Sequence, residues 1–155
     1  MAATGILIDQ REPAWVQGLS FGGIPVAVTL LEYGDVHVAT DDGALLAIER
    51  KTPNDLLNSL RDDRLWVQLA GLRRLTPWAY LVITGQLHRS SDGHVVTENG
   101  PTGWLWSAVQ GALLRAQEMG ILVIQTAGEA DFEAAILRLG QRSRGEIRLP
   151  PVRDY

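Results

Sequence analysis

The chain has 155 residues, 46% of them apolar, which suits one domain with a full hydrophobic core. It contains no cysteine, which excludes disulfides, thiolate zinc sites and cysteine nucleophiles, and no apolar stretch is long enough to cross a membrane. With 14 basic and 18 acidic residues the net charge is −4, which excludes a nucleic-acid binder that works through bulk charge alone but allows clustered carboxylates that collect cations. The opening MAATGILIDQRE lacks the basic start and the apolar run of a signal peptide, so a cytoplasmic location is expected, nucleoid or nucleus in a cellular source.

Taken in order, GILID (5–9) predicts a first strand. IPVAVTLL (24–31) and DVHVAT (35–40) predict two more, and GALLAIERK (43–51) a fourth. After Pro53 the leucines at 56, 57 and 60 follow a helical period, a polar break comes at RDDR, and Leu65, Leu69 and Leu72 resume it, giving two helices or one broken one. WAYLVIT (78–84) has no alternation and predicts a strand buried on both faces. GQLHRSSDGHVVTENG reads as a polar hairpin or loop, 104–117 as a helix opened by Trp104 and Trp106, GILVIQ (120–125) as a strand, and 129–139 as a last helix. Early strands in hairpins followed by alternating strands and helices argue a single-domain α/β fold, a mixed sheet covered by helices, over residues 1–140, with a tail from 141 to 155.

The third and fourth strands are joined by Asp41-Asp42-Gly43. A three-residue hairpin loop ending in glycine is favourable because its last position takes a positive φ. Residue 40 then faces 44, and Asp35 faces Glu49 on one side of the sheet, with Cβ atoms roughly 4.5–5.5 Å apart. Lys51 points the same way as Glu49, and His37 the same way as Asp35, while Arg50 points to the other face. Two opposed carboxylates repel each other, and a divalent cation between them reverses the sign. Carboxylate oxygens are the donors that Mg2+ or Mn2+ prefers, and a lysine beside them can orient a water or stabilise charge on a phosphate. Read singly, Glu49 and Lys51 make an ordinary surface pair and Asp35 a turn residue; the joint arrangement favours a site.

The same residues resemble a family. Asp9-x-Arg11-Glu12, Gly34-Asp35, Glu49-Arg50-Lys51, Asp55, Ser59-Leu60, Arg64-Leu65 and Gln68 follow, in order and spacing, the pattern of the XPF-type nuclease domain of the PD-(D/E)XK superfamily. The resemblance covers about residues 5–140 and implies a restriction-endonuclease-like fold: a central mixed sheet flanked by helices. It implies a Mg2+- or Mn2+-dependent endodeoxyribonuclease acting on branched, flapped or junction DNA, usually as a homodimer, with DNA repair and recombination as its setting. It implies a metal held by Asp35 and Glu49, with Asp9 as a further ligand, directly or through water. Lys51 would position the attacking water, and Glu12 would be an accessory acid. Arg50 would make a buried ion pair or touch backbone phosphate, and Arg11, Asp55, Arg64 and Gln68 would support the site or DNA. The chain departs from the pattern at Asp63, where glycine is common, a position aspartate can fill because it tolerates left-handed backbone. The competing reading is a non-catalytic DNA-binding or dimerisation partner; such domains lose the acidic and lysine set that this chain keeps.

Thr52-x-x-Asp55 is also an N-terminal capping arrangement, so a structural role for Asp55 stands beside the catalytic one. His88 and His94 read as loop residues rather than zinc ligands. No glycine-rich phosphate loop is present, so no nucleotide cofactor is expected.

Overall fold

The computed structural model describes residues 2–142 and 144. Nine strands and five helices are formed among them: β1 (Ala3–Asp9), α1 (Ala14–Gln17), β2 (Val26–Thr29), β3 (Val36–Thr40), β4 (Leu45–Lys51), α2 (Pro53–Arg61), α3 (Arg64–Leu75), β5 (Trp78–Thr84), β6 (His88–Arg89), β7 (His94–Thr97), β8 (Gly100–Leu105), α4 (Trp106–Glu118), β9 (Leu122–Thr126) and α5 (Glu129–Gln141). Six strands form the main sheet in the order β2-β1-β3-β4-β5-β9, and β6-β7-β8 form a small second sheet. The fold is the expected single-domain α/β architecture, a mixed sheet with helices on both faces.

The β3–β4 hairpin has the register that the Asp-Asp-Gly loop implies, with Val36 opposite Ile48 and Ala39 opposite Leu45. Gly43 closes the turn at φ 81°, its N–H donating to Thr40 O at 3.1 Å. From β4 onward the main sheet is parallel, β4 with β5 and β5 with β9. Pro53 and the Thr52 cap, whose hydroxyl accepts from the Asp55 N–H at 3.1 Å, start α2 directly after β4. The RDDR break does divide two helices, and Asp63 takes the left-handed conformation at φ 58°.

Alternation distributes the core. Ala47, Leu81 and Ile83 face Leu56, Leu65, Leu69 and Val109 of α2, α3 and α4. Leu46, Ile48, Tyr80 and Val82 face Val16 of α1 and Phe132, Ile136 and Leu139 of α5. This two-sided burial is why β5 has no apolar alternation.

Three expectations need correction. β1 and β2 are parallel, not a hairpin, because α1 and the turn at 21–23 carry the chain back across the sheet end. Trp104 lies in β8 rather than opening a helix, since the chain stays extended to pair with β7, and α4 starts at Trp106. Both indoles, partly buried, pack against the core. The polar stretch after β5 is a three-stranded sheet rather than a plain hairpin. Apart from 141, 142 and 144, the expected tail lies outside the described residues.

Candidate active site

The site forms where β1 and β4 end and β3 begins. Main-chain bonds clamp the three strand ends. The Asp9 N–H donates to Asp35 O at 2.9 Å, and the Asp35 N–H donates to Ile48 O at 2.7 Å. The Arg50 N–H donates to the Asp35 carboxylate at 2.7 Å. Asp35 is thereby fixed beside Glu49, and the two carboxyl groups lie within hydrogen-bonding reach. Burial, then the neighbouring Glu49 carboxylate, push the Asp35 carboxyl up to about 9.

Lys51 sits two residues beyond Glu49 on the same face. Glu49 is 5% exposed and Lys51 8%. Among the described residues the Lys51 ammonium has no ion-pair partner, and Lys51 lines the cleft. Arg50, on the opposite face, makes a bond of 2.5 Å from Nε to the Glu12 carboxylate, with both side chains below a tenth exposed. Its guanidinium also lies over the Trp15 ring, 5.3 Å from the centroid. Burial raises the Glu12 carboxyl above its ordinary value, outweighing the stabilisation of its charge by Arg50. Glu12 therefore anchors the loop after β1 to β4.

Asp9 is buried and committed. Its carboxylate accepts from Arg11 Nε at 2.7 Å and from the Leu31 N–H at 3.0 Å. Burial opposes its ionisation, but these donors outweigh it and hold the carboxyl below the ordinary value. Arg11 also donates to Leu31 O at 2.6 Å, tying the segment after β2 to the end of β1.

All ten residues singled out in the sequence, Asp9, Arg11, Glu12, Asp35, Glu49, Arg50, Lys51, Asp55, Arg64 and Gln68, line one cleft of about 590 Å³. Asp55 and Arg64 are exposed at its rim. The side-chain oxygen of Gln68 is buried and has no hydrogen-bond partner among the described residues. Glu32 and Tyr33 also line the cleft, and the motif pattern does not include them. Their position directly before Gly34-Asp35 is the signal that could have found them.

The donor chemistry suits a hard divalent cation. Asp35 and Glu49 bring two carboxyl groups together in the cleft, and burial with their mutual repulsion favours a proton on Asp35. Mg2+ is bound through one or two carboxylates and keeps several waters, so two carboxylates suffice. Among the described residues no set of three or more acidic or histidine side chains forms a cage.

A model of the ERCC4 domain matches residues 8–139. The chain belongs to the ERCC4 domain family. Within that family it is 34% identical over 94 residues to the 3'-flap repair endonuclease Xpf of Saccharolobus solfataricus, an alignment covering 61% of this chain and 35% of the relative. The chain thus spans about a third of that relative's length. Its fold matches XPF from Aeropyrum pernix with a TM-score of 0.68 at 22% identity, over 96% of this chain and 67% of the other. A structure of XPF from Aeropyrum pernix in complex with DNA matches with a TM-score of 0.69 at 20% identity, over 89% of this chain and 64% of the other. The ERCC4 match begins at Ile8 and so takes in every cleft residue named above. No helix among the described residues is long and apolar enough to cross a membrane.

Proposed function

We propose that this ERCC4 domain is the catalytic part of a Mg2+- or Mn2+-dependent DNA endonuclease that hydrolyses phosphodiester bonds in branched or flapped DNA. The observation that carries the reading is the Asp35–Glu49 pair, closed by the β3–β4 register, with buried Lys51 beside it in a polar cleft. The name of the Saccharolobus relative, a flap repair endonuclease, and the DNA in the Aeropyrum complex support the substrate class.

Asp35 and Glu49 would hold the cation, with Asp9 reaching it through water because its oxygens already serve Arg11 and Leu31. When bound, the cation supplies a more acidic water and neutralises charge developing on the phosphate. Lys51 orients the attacking water and offsets negative charge at the scissile phosphate. Arg64 and Arg11, which both line the cleft, meet the flanking phosphates, as the side chain of Arg11 is 63% exposed and that of Arg64 52%. Arg50 and Glu12, which also line the cleft, hold the strand ends in place through their buried ion pair.

We also assign a homodimer. Leu105 and Leu114 are each 54% exposed, and α4 buries only Val109 and Ala116 in its own domain. Among the described residues β9 is an edge strand, and it packs beside α4. Apolar helix surface next to such an edge suits pairing with a second copy.

The test is cleavage of labelled linear, flap, fork and four-way DNAs with Mg2+, Mn2+ or EDTA. Metal-dependent cutting that prefers a branched substrate is expected. Cutting that survives thorough chelation would remove the metal mechanism, and no cutting of any DNA would leave the partner role.

A further inference from the structure

The cleft is polar nearly throughout, with one exception. Among the described residues that line it, Tyr33 is the sole aromatic; the others are charged residues, Gln68 and Gly34. Tyr33 directly precedes Gly34-Asp35, lines the same cleft and packs, partly buried, against the helical core.

Its position is fixed from several sides. The ring packs on Gly71 of α3 so closely that a Cβ at 71 would lie 2.2–2.6 Å from three ring carbons. The Tyr33 carbonyl accepts from His37 Nε2 at 2.8 Å, and His37 is itself set in β3. Gly34, at φ 87°, leaves no room for a side chain between Leu72 and His37, which fixes the turn that presents the ring. Tyr33 is partly exposed. A rigid aromatic surface in an otherwise charged cleft suits a flat apolar ligand. A DNA strand whose phosphate lies at Asp35 and Glu49 brings one such group within reach, the base attached to the adjacent sugar. Stacking on that base would fix the strand without reading its sequence, because every base has a π-face.

Resting on the nuclease reading, we propose that Tyr33 stacks on the nucleotide base flanking the scissile phosphate and so sets which phosphate lies over the Asp35–Glu49 pair. The experiment compares wild type with Tyr33→Phe, Tyr33→Trp and Tyr33→Leu, the last filling the space against Gly71 without a π-face. 2-Aminopurine is placed in turn at each nucleotide around the branch point of a flap DNA, and its fluorescence is followed on binding in EDTA, well below each variant's melting transition. One position is expected to be quenched by wild type, Tyr33→Phe and Tyr33→Trp, and not by Tyr33→Leu. With metal, Tyr33→Leu should lose about 5–150-fold in kcat/KM, chiefly through KM. That loss should vanish on DNA that is abasic at the quenched position. Equal losses on intact and abasic DNA, failure of Tyr33→Phe, or no quenching at any position would overturn the proposal. Quenching by a wild type that cuts nothing would instead refute the nuclease reading and leave the stacking contact standing.

Discussion

Asp35→Asn tests the electrostatics of the site more directly than any other substitution. The side chain keeps its shape. Its remaining oxygen can still accept from the Arg50 N–H, now at 2.7 Å, and its new amide can donate to Glu49. What disappears is a titration. The Asp35 carboxyl is raised from 3.8 to about 9 in the fold, so the folded state binds the proton more tightly than the unfolded chain. A raised carboxyl contributes stability that is fully present below its unfolded value and is lost as pH climbs towards its folded value. In that window wild type loses at most about 1.4 kcal/mol per pH unit, and the asparagine variant loses none from this source. For a chain of this size that is about 3–6 °C in melting temperature per pH unit at the upper limit. Without metal the variant should therefore melt above wild type at about pH 8, with a gap that narrows as pH falls and closes towards about pH 4. Mn2+ at about a hundredfold over its dissociation constant should raise wild-type stability by about 2.7 kcal/mol and the variant by much less. Cleavage should be abolished. Thermal melting at several pH values, with Mn2+ or EDTA and beside a cleavage assay, makes the comparison. If the metal-free variant melts below wild type at every pH, or if Mn2+ stabilises both proteins equally, the carboxylate pair is not the repulsive cation site argued above.

Glu12→Gln should cost about 3–5 kcal/mol by leaving the Arg50 charge buried without its partner, while replacing both with apolar residues of similar size should recover much of that. Denaturant melts of the single and double variants check this, and equal losses in the two would mean that packing rather than charge pairing is at stake. Leu114→Glu should shift the protein from dimer to monomer at micromolar concentration with the fold retained; light scattering that finds the same mass for both proteins argues against α4 as the dimer face. Gly71→Ala should destabilise by about 1–3 kcal/mol, since the new methyl must displace the Tyr33 ring; an unchanged melting temperature would show that the ring moves aside freely.

Much of the centre of this site can be read along the chain, because short-range rules govern it. The Asp-Asp-Gly loop sets the hairpin register, the register brings Asp35 to Glu49, and the period of a strand puts Lys51 with them and Arg50 on the far face. Thr52 and Pro53 start α2 for equally local reasons, and a strand without alternation at 78–84 announces burial on both sides. Tertiary structure alone decided what those charges meet. Arg50 finds Glu12 across 38 residues, and Arg11 joins Asp9 to Leu31 across 20, pairings that no spacing rule contains. The parallel course of β1 and β2 depends on a crossover whose short helix has too few residues to show a period. The aromatic wall at Tyr33 depends on the missing side chain of Gly71 on another element. Turn chemistry and side-chain period act over a few residues and are written in order, whereas partners brought together by the sheet and the helix packed on it are defined only once the chain has folded.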